Sequence, residues 1–469
     1  MALPQAIILG GGVAGLAAAV ELTERGWPVT LLEQRSFCGG RAYSFREPVT
    51  GDVIDNGQHV MMGCYRATFR YLSQIGAADG VTIEPRLTVW FAAADGVLHA
   101  LDCPAWSAPW HLVAGLARLR GFGLGNLWRL RKGLRQLREY DTAAYAMLDQ
   151  WSVAEWLAQL GQDARASAAL WTPLTLAVMN EIPERASAAA FTRMLHEGTL
   201  HQDVPLGLAV PRRSLSALLV DPAVATIQAR GAEVRCSTVV EQLVLDGTRV
   251  RSVRCRNGAT LEGDVIISTL PPRELQRLLA ASGVSGDPYL APLQGWESVP
   301  ICSVHLWYDR PVLPQPMVGL LEAPFHWAFD TARLRATTDY SGPRGHWCVA
   351  LVSSACRDLV AASRTEVVAA ADAVMQRHFP LAREAKVQHV QMTKELHATV
   401  AVTKGSAARR LPTVTPWSNL FLAGDWTQTE LPATIEGAIR SGVAAAAAAM
   451  QPAQPVDLPT PMNLVYSRG

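Results

Sequence analysis

A glycine-rich turn near the amino terminus has the residue types and spacing of a phosphate-binding loop. Gly10, Gly12 and Gly15 follow the pattern Gly-x-Gly-x-x-Gly. In such a loop the first glycine permits a tight turn, the second lets the backbone approach a pyrophosphate, and the third allows a helix to pack closely on a strand. Glu33 follows after about twenty residues, where a carboxylate can accept hydrogen bonds from a ribose. The pattern predicts a dinucleotide site, with an unliganded glycine turn as the alternative.

The segments on both sides of this turn must form a strand, a helix and a second strand. The runs 6–9 and 29–32 are short, apolar and rich in strand-forming residues, whereas 16–25 favours a helix that Gly26 would end. A phosphate would then lie at the helix N-terminus, where free backbone N–H groups favour an anion. We expect Val13 and Ala14, which lie in the glycine turn just before this helix, to contact the cofactor.

A second glycine pair narrows the choice of dinucleotide. Gly39-Gly40-Arg41 follows shortly after Glu33 and could bring backbone and guanidinium to the same pyrophosphate. A surface turn is the alternative. With this motif the chain resembles the FAD-dependent amine oxidase and phytoene desaturase superfamily, whose members carry Gly-Gly-Arg after the ribose acid. The resemblance implies FAD and an α/β fold, in which a discontinuous Rossmann-like FAD domain of the glutathione reductase type carries an inserted α+β substrate domain.

The resemblance implies further cofactor contacts in three other stretches. In the superfamily, the stretch equivalent to Asp55-Asn56-Gly57-Gln58-His59 runs past the flavin ring, a β-meander meets the adenine, and a Gly-Asp pair binds the ribityl and phosphate groups. A helix after that pair points its partial positive charge at the N1/C2 edge of the flavin. The residues carried over in this way are Gln58, His59, Val60, Val239, Gly424, Asp425, Thr434 and Ile435. His59 is also the candidate catalytic residue, as a general acid, with a structural hydrogen-bonded histidine as the alternative.

Softer motifs resemble one branch of the superfamily, the hydroxysqualene dehydroxylases. They are Trp171-x-Pro173 with Asn180, Ser187-x-x-x-Phe191 and Pro211-x-x-x-Leu215-Ser216. The branch implies reduction of hydroxysqualene to squalene by hydride from reduced flavin, with a polyisoprenoid as the partner molecule.

Three other readings remain open at this stage. A carotenoid- or phytoene-type desaturase would share the fold, FAD and an apolar tunnel, but would remove hydride. A flavin amine oxidase is less favoured, because those enzymes often place a lysine where this chain has Ile301. A non-catalytic prenyl-binding protein would not need the intact phosphate-binding glycines.

The motifs and turn signals divide the chain into interleaved parts. We predict an FAD-binding domain from 1–65, 205–275 and 405–450, a substrate and membrane-facing domain from 66–204 and 276–404, and an irregular tail at 451–469. Asp246-Gly247 and Asn257-Gly258 are typical hairpin turns and predict β-hairpins before a strand that returns to the parallel sheet.

The segment 103–138 is basic and amphipathic. It holds seven basic residues, no acidic residue, leucines at helical spacing and the aromatic residues Trp106, Trp110, Phe122 and Trp128. Such a segment can lie in a membrane interface, and a pair of surface helices packed on the core is the alternative. Because no secretory signal is recognisable, we expect a cytoplasmic protein, peripheral at the inner face of the cell membrane.

Composition excludes several classes of function. The 469 residues carry a net charge of +1, whereas a general nucleic-acid binder would show a strong basic excess. Eight cysteines without a Cys-x-x-Cys pair, and histidines without ligand spacing, predict neither a disulfide scaffold nor a metal site.

Overall fold

The computed structural model describes residues 3–107, 109–138, 141–199, 207–284, 286–335 and 347–451, so nearly all of the predicted tail at 451–469 lies outside the described residues. The strands are β1 Ala6–Leu9, β2 Val29–Leu32, β3 Ser44–Arg46, β4 Val53–Asp55, β5 Met61–Met62, β6 Val81–Ile83, β7 Thr88–Ala92, β8 Leu98–Asp102, β9 Leu208–Pro211, β10 Glu233–Arg235, β11 Val240–Asp246, β12 Arg249–Cys255, β13 Thr260–Glu262, β14 Val265–Ser268, β15 Ser298–Tyr308, β16 Met317–Leu320, β17 Trp327–Asp330, β18 Trp347–Ser354, β19 Val387–Val400 and β20 Leu420–Leu422.

The helices alternate with these strands. They are α1 Val13–Glu24, α2 Arg66–Gln74, α3 Trp110–Arg118, α4 Leu124–Arg138, α5 Thr142–Leu148, α6 Val153–Gln159, α7 Ala164–Ala166, α8 Thr172–Met179, α9 Ala188–Thr199, α10 Asp221–Ala229, α11 Pro272–Ala281, α12 Thr331–Leu334, α13 Arg357–Ala361, α14 Arg364–His378 and α15 Ile435–Ala449. A π-helical turn at Ser167–Trp171 joins α7 to α8.

A five-stranded parallel sheet forms the nucleotide-binding half, in the order β10-β2-β1-β14-β20. β1, β2 and β14 consist of apolar and small residues and are buried at every position, as expected for a parallel sheet covered on both faces. The predicted strand–helix–strand unit at the amino terminus is therefore present. The predicted hairpins form the three-stranded antiparallel meander β11-β12-β13, which leads into β14.

Two helices cross very closely over this sheet. α1 is rich in alanine and fully buried from Val13 to Thr23, and it packs on α15. At their crossing, a Cβ atom added to Gly442 would lie 2.1 Å from the carbonyl oxygen of Ala14. α2 also packs on α15, whose Glu436 accepts hydrogen bonds from the backbone N–H groups of Ala67 and Thr68. The helix α2 therefore begins directly after the domain boundary predicted at residue 65.

A seven-stranded mixed sheet forms the other half, in the order β19-β15-β18-β17-β16-β7-β8. The pairing of β15 with β19 shifts at one place: Val299 lies opposite Thr399, whereas Ile301 lies opposite Glu395. Three residues of β19 therefore face Pro300 alone, which makes a bulge beside a residue that has no N–H to donate.

A helical layer, α3 to α9, covers one end of the mixed sheet. The basic segment forms two helices, α3 and α4, with Gly121 and Gly123 at positive φ between them. Behind them Trp156, Trp171 and Phe191 pack edge to face with ring centroids 6.2–6.5 Å apart. Within the described part of the chain, no helix has both the length and the apolar character needed to cross a bilayer.

Candidate active site

The glycine turn between β1 and α1 is as tight as its sequence demands. Gly10 has a φ of 107°, and a Cβ on Gly15 would lie 2.0 Å from the carbonyl oxygen of Gly10. The hydroxyl of Thr269, at the end of β14, donates to the carbonyls of Leu9 and Gly10 at 3.0 Å. Gly15 thus serves helix packing, while the turn opens on a cavity lined by Gly10, Gly12, Val13 and Ala14.

The Glu33 carboxylate holds the shape of this turn. One of its oxygens accepts the backbone N–H of Gly11 at 2.8 Å, and the other accepts that of Arg35 at 2.8 Å. Each carboxylate oxygen has a second lone pair, so Glu33 can still accept from a ribose hydroxyl. Val239 lines the same end of the cavity.

The Gly39-Gly40-Arg41 segment lies against the glycine turn. A Cβ on Gly40 would lie 3.0 Å from the Cα of Gly12, so the two loops touch through their backbones. The Nη2 atom of Arg41 donates to Asp425 at 2.7 Å. Burial alone would lower the pKa of Arg41, but the Asp425 carboxylate raises it above its ordinary value. Two residues 384 positions apart thereby form one charged element of the cavity wall.

The carboxyl-terminal signature places a helix start at the far end of the cavity. The backbone N–H of Gly424 donates to Ser441 at 2.7 Å. Thr434 caps α15 by accepting the backbone N–H of Gly437 at 3.1 Å, and Thr434 and Ile435 line the cavity. The N-terminus of α15 thus offers its partial positive charge there.

The loop that carries Asp425 is fixed by an arginine that the sequence motifs did not reveal. Buried Arg410 donates to the carbonyls of Asp425, Thr427 and Leu431 at 2.7–3.2 Å. Because three backbone carbonyls share one guanidinium, the chain between β20 and α15 is held in one shape.

These residues fit FAD. The cavity that they line has a volume of about 780 Å³ and extends from Glu33 and Val239 to Thr434 and Ile435. A Cβ on Gly10, Gly39 or Gly424 would lie 2.6–2.7 Å from a neighbouring atom. Two helix N-termini open on the cavity and Arg41 supplies a cation, which together suit a pyrophosphate and a flavin. In the described residues, no group of three or more His, Cys, Asp or Glu side chains could hold a metal ion.

A second cavity, of about 390 Å³, adjoins the first. Its wall contains aromatic and aliphatic side chains from α3, α4, α6, the α7–α8 region and the mixed sheet, among them Leu112, Leu116, Leu130, Trp156, Trp171, Trp327 and Phe329. None of the described residues that line it is Asp, Glu, Lys or Arg. Three leucines of the basic segment, Leu112, Leu116 and Leu130, therefore line this cavity.

The two cavities meet at a junction formed by residues that line both of them. These are Gly57, His59, Ile301, Thr399, Ala433, Thr434 and Ile435. Gln58 and Val60, which we expected beside the flavin, line the apolar cavity and not the dinucleotide cavity. Gln58 Oε1 is buried and has no hydrogen-bond partner among the described residues.

Among the described residues that line both cavities, His59 is the one with a titratable side chain, and one of its ring nitrogens can exchange a proton with a ligand. Its Nδ1 lies 2.7 Å from the carbonyl oxygen of Gly57. A carbonyl only accepts, so Nδ1 carries a proton and Nε2 is the atom that gains or loses one. No described residue is hydrogen-bonded to Nε2, and the half-buried ring borders both cavities.

Asn180 and Glu181 are neighbours in the sequence but differ in whether they line a cavity. Asn180 lines the apolar cavity and donates to Thr399, which the sequence motifs did not reveal. The buried Glu181 carboxylate instead forms ion pairs with the partly exposed Arg357 and Arg185, and Glu181 does not line either cavity. Thr399 could not be found from sequence because its position depends on the bulge opposite Pro300.

Comparison with known proteins decides the family. The profile of the family described as "Flavin containing amine oxidoreductase" matches residues 13–450. The chain belongs to this family. The superfamily recognised from the glycine motifs, the α/β FAD-binding fold, FAD as the cofactor and an oxidoreductase activity are thereby confirmed.

Relatives of this flavin oxidoreductase are similar over almost their whole length. Hydroxysqualene dehydroxylase of Rhodopseudomonas palustris is 30% identical over 446 residues, covering 94% of this chain and 96% of that protein. The protein of the same name from Sinorhizobium fredii is 30% identical over 449 residues, with 94% and 96% covered. The 15-cis-phytoene desaturase of Synechococcus elongatus is 25% identical over 459 residues, with 93% of each chain covered.

Solved structures share the fold of this flavin oxidoreductase. A putrescine oxidase triple mutant aligns with a TM-score of 0.71 at 16% identity, covering 95% of this chain and 98% of that one. Cyclohexylamine oxidase from Brevibacterium oxydans aligns with a TM-score of 0.69 at 17% identity, with 95% and 98% covered. At such identities the likeness concerns the architecture alone.

Proposed function

We propose that this flavin oxidoreductase removes the hydroxyl group of hydroxysqualene reductively, giving squalene and water. The observation that carries the proposal is the apolar cavity, which meets the dinucleotide cavity at His59 and has no Asp, Glu, Lys or Arg among the described residues of its wall. The two relatives that are 30% identical and bear the name hydroxysqualene dehydroxylase support it.

The apolar cavity suits a polyisoprenoid. Each buried methylene contributes about 0.8 kcal/mol, so a long hydrocarbon chain is bound by area and needs no polar anchor along its length. A diphosphate or an ammonium group would have to lose its hydration against a wall whose described residues include no Asp, Glu, Lys or Arg. The wall therefore favours a neutral substrate with at most one polar group, which would lie at the junction.

The residues at the junction have separate tasks. FAD, when bound and reduced, supplies a hydride. His59, protonated at Nε2, gives that proton to the substrate hydroxyl, so that the carbon–oxygen bond breaks and the oxygen leaves as water. The Gly57 carbonyl keeps the imidazole in the orientation that presents Nε2. The apolar wall keeps other water away from the allylic cation, which would otherwise be captured as an alcohol again.

We also propose that the protein binds to the inner face of the cell membrane through α3 and α4. Trp106, Trp110 and Trp128 are each about 60% exposed, and the Arg131 guanidinium stacks on Trp128 at 4.3 Å. Basic residues near an anionic leaflet contribute about 1 kcal/mol each. Because Leu112 and Leu130 of the same helices line the apolar cavity, a substrate dissolved in the membrane would have a short path to it.

The membrane proposal is tested by sedimentation with vesicles that contain anionic lipid. Replacement of Trp106, Trp110 and Trp128 by serine should lower the bound fraction, whereas Val49→Ser, at an exposed apolar position elsewhere, should leave it unchanged. Equal binding of the triple variant and the wild type would contradict the proposal.

The catalytic proposal is tested under anaerobic conditions. The FAD-loaded protein is reduced, hydroxysqualene is added in detergent, and flavin reoxidation and squalene are followed together. His59→Asn keeps a donor for the Gly57 carbonyl but removes the proton at Nε2. We expect it to bind the alcohol normally and to form squalene at least a hundredfold more slowly. Reoxidation of the flavin by hydroxysqualene without formation of squalene would contradict the dehydroxylation.

A phytoene-type desaturation is the second candidate. The apolar cavity suits a pure hydrocarbon equally well, and a relative named 15-cis-phytoene desaturase is 25% identical. A desaturase would need oxidised flavin and no proton donor. The same preparation is therefore kept oxidised and given phytoene-like polyenes. A desaturase would reduce the flavin, and His59→Asn would retain that activity.

A further inference from the structure

One hydroxyl at the junction already accepts a hydrogen bond and still has its own proton to donate. Thr399 Oγ1 accepts a hydrogen bond from Asn180 Nδ2 at 2.9 Å. Among the described residues, no acceptor is hydrogen-bonded to the Thr399 hydroxyl proton. Because Thr399 lines both cavities, that proton is available to a ligand at the junction.

The direction of the Asn180–Thr399 hydrogen bond is fixed by the other contacts of the amide. Asn180 Oδ1 lies 2.8 Å from the backbone N of Ala355, which can only donate. Asn180 Nδ2 lies 3.4 Å from the carbonyl oxygen of Val299, which can only accept. The amide cannot be turned over without losing both contacts, so Thr399 is the acceptor and must donate elsewhere.

The backbone around this pair holds the two side chains in place. Asn180 ends α8 in the left-handed region with a φ of 48°, which asparagine tolerates better than most residues, and it is 5% exposed. The bulge opposite Pro300 sets Thr399 across from Val299. Bulges re-aim side chains beside active sites, and here the hydroxyl lies where the two cavities join.

We propose that Thr399 is a specificity-determining hydrogen-bond donor to the hydroxyl oxygen of a polyisoprenoid alcohol, and that Asn180 is its positioning residue. The inference rests on the proposed function and deepens it. An alcohol oxygen accepts the Thr399 proton, and the unpartnered Gln58 Oε1 offers an acceptor on the wall of the apolar cavity for the alcohol proton. A hydrocarbon of the same length leaves the Thr399 proton without a partner. The site therefore prefers the alcohol substrate to its hydrocarbon product.

The test measures binding without turnover. The FAD-loaded protein is kept oxidised, so that no hydride is available, and the affinities for hydroxysqualene and squalene are measured from the flavin difference spectrum in matched detergent. One net hydrogen bond corresponds to about a tenfold difference in affinity. We expect the wild type to prefer the alcohol by about this factor, and Thr399→Val, which keeps the shape, to lose the preference while binding squalene as before.

Two further variants separate donation from packing. Thr399→Ser restores the hydroxyl and should restore the preference. Asn180→Asp keeps an acceptor for the N–H of Ala355 but turns the partner of Thr399 into an acceptor, so the Thr399 proton points away from the cavity. We expect this variant to bind the alcohol about tenfold more weakly and squalene unchanged. A merely structural role would weaken both ligands alike.

The outcomes distinguish this inference from the proposed function. If the reduced wild type forms squalene but Thr399→Val keeps the full preference for the alcohol, the role of Thr399 is wrong and the dehydroxylation stands. If Thr399→Val loses the preference and Thr399→Ser keeps it, the role is supported. If the reduced wild type forms no squalene but Thr399→Val loses the preference for the alcohol, the dehydroxylation is wrong and the donor role of Thr399 stands.

Discussion

The crossing of α1 and α15 gives a sharp prediction about a single methyl group. A Cβ on Gly442 would lie 2.1 Å from the carbonyl oxygen of Ala14, whereas ordinary contacts begin near 3.4 Å. A backbone carbonyl in a helix cannot rotate aside, so the helices must separate by roughly 1 Å. Overpacking of this kind costs about 3 kcal/mol at the upper end of its range. Alanine recovers about 1 kcal/mol of helix propensity, so Gly442→Ala should lower the free energy of unfolding by about 2 kcal/mol.

The matched control is Gly125→Ala in α4, where a Cβ would meet no heavy atom within 4 Å. This variant should raise the free energy of unfolding by about 0.5 kcal/mol. Urea denaturation of the apoprotein measures both changes. Titration with FAD adds a second readout, because the separated helices carry the Gly12 and Thr434 ends of the cofactor cavity. Equal stability of the two alanine variants would refute the close crossing.

Two further predictions concern buried polar groups. Burial lowers the pKa of His326 from its ordinary value of 6.5 to about 4, so the unfolded chain binds a proton that the native protein does not. The free energy of unfolding should therefore fall by up to about 3 kcal/mol between pH 6.5 and 4 and stay level above, as acid denaturation would show. His326→Asn, which keeps an acceptor for the N–H of Ser354, should remove this contribution and leave that of His305, whose pKa burial also lowers to about 4. Arg335 and Asp55 form a buried ion pair, so Arg335→Met should cost about 3–5 kcal/mol in thermal or urea unfolding. The double variant Asp55→Asn with Arg335→Met should cost less than Arg335→Met alone, and a larger loss would refute the uncompensated-charge argument.

The local motifs of the site could be predicted because their physics is local. The glycine turn, Glu33 and the start of α15 depend on spacings within one supersecondary unit, and the structure places them around one cavity. The pairing of Arg41 with Asp425 was out of reach, since it joins loops 384 positions apart. Domain bounds, individual site residues and cellular location remain predictions.

The amphipathic segment shows a different limit of sequence reasoning. Its leucine spacing indicated an apolar helix face, but a pattern cannot say which apolar surface that face meets. In the structure Leu112 and Leu116 face the inner cavity, and Trp110 and Trp128 lie on the outside. Thr399 was missed for a related reason, because the bulge that places it depends on how β15 and β19 pair.

The seven residues shared by the two cavities imply thermodynamic linkage between the two ligands. A molecule in either cavity becomes part of the wall of the other, so each ligand changes the affinity for its neighbour by the same factor. The cofactor should therefore bind more tightly when a long hydrocarbon is bound. Conversely, the apoprotein should hold its lipid more loosely than the holoprotein does. The protein would then bind its substrate tightly only once it has bound its cofactor.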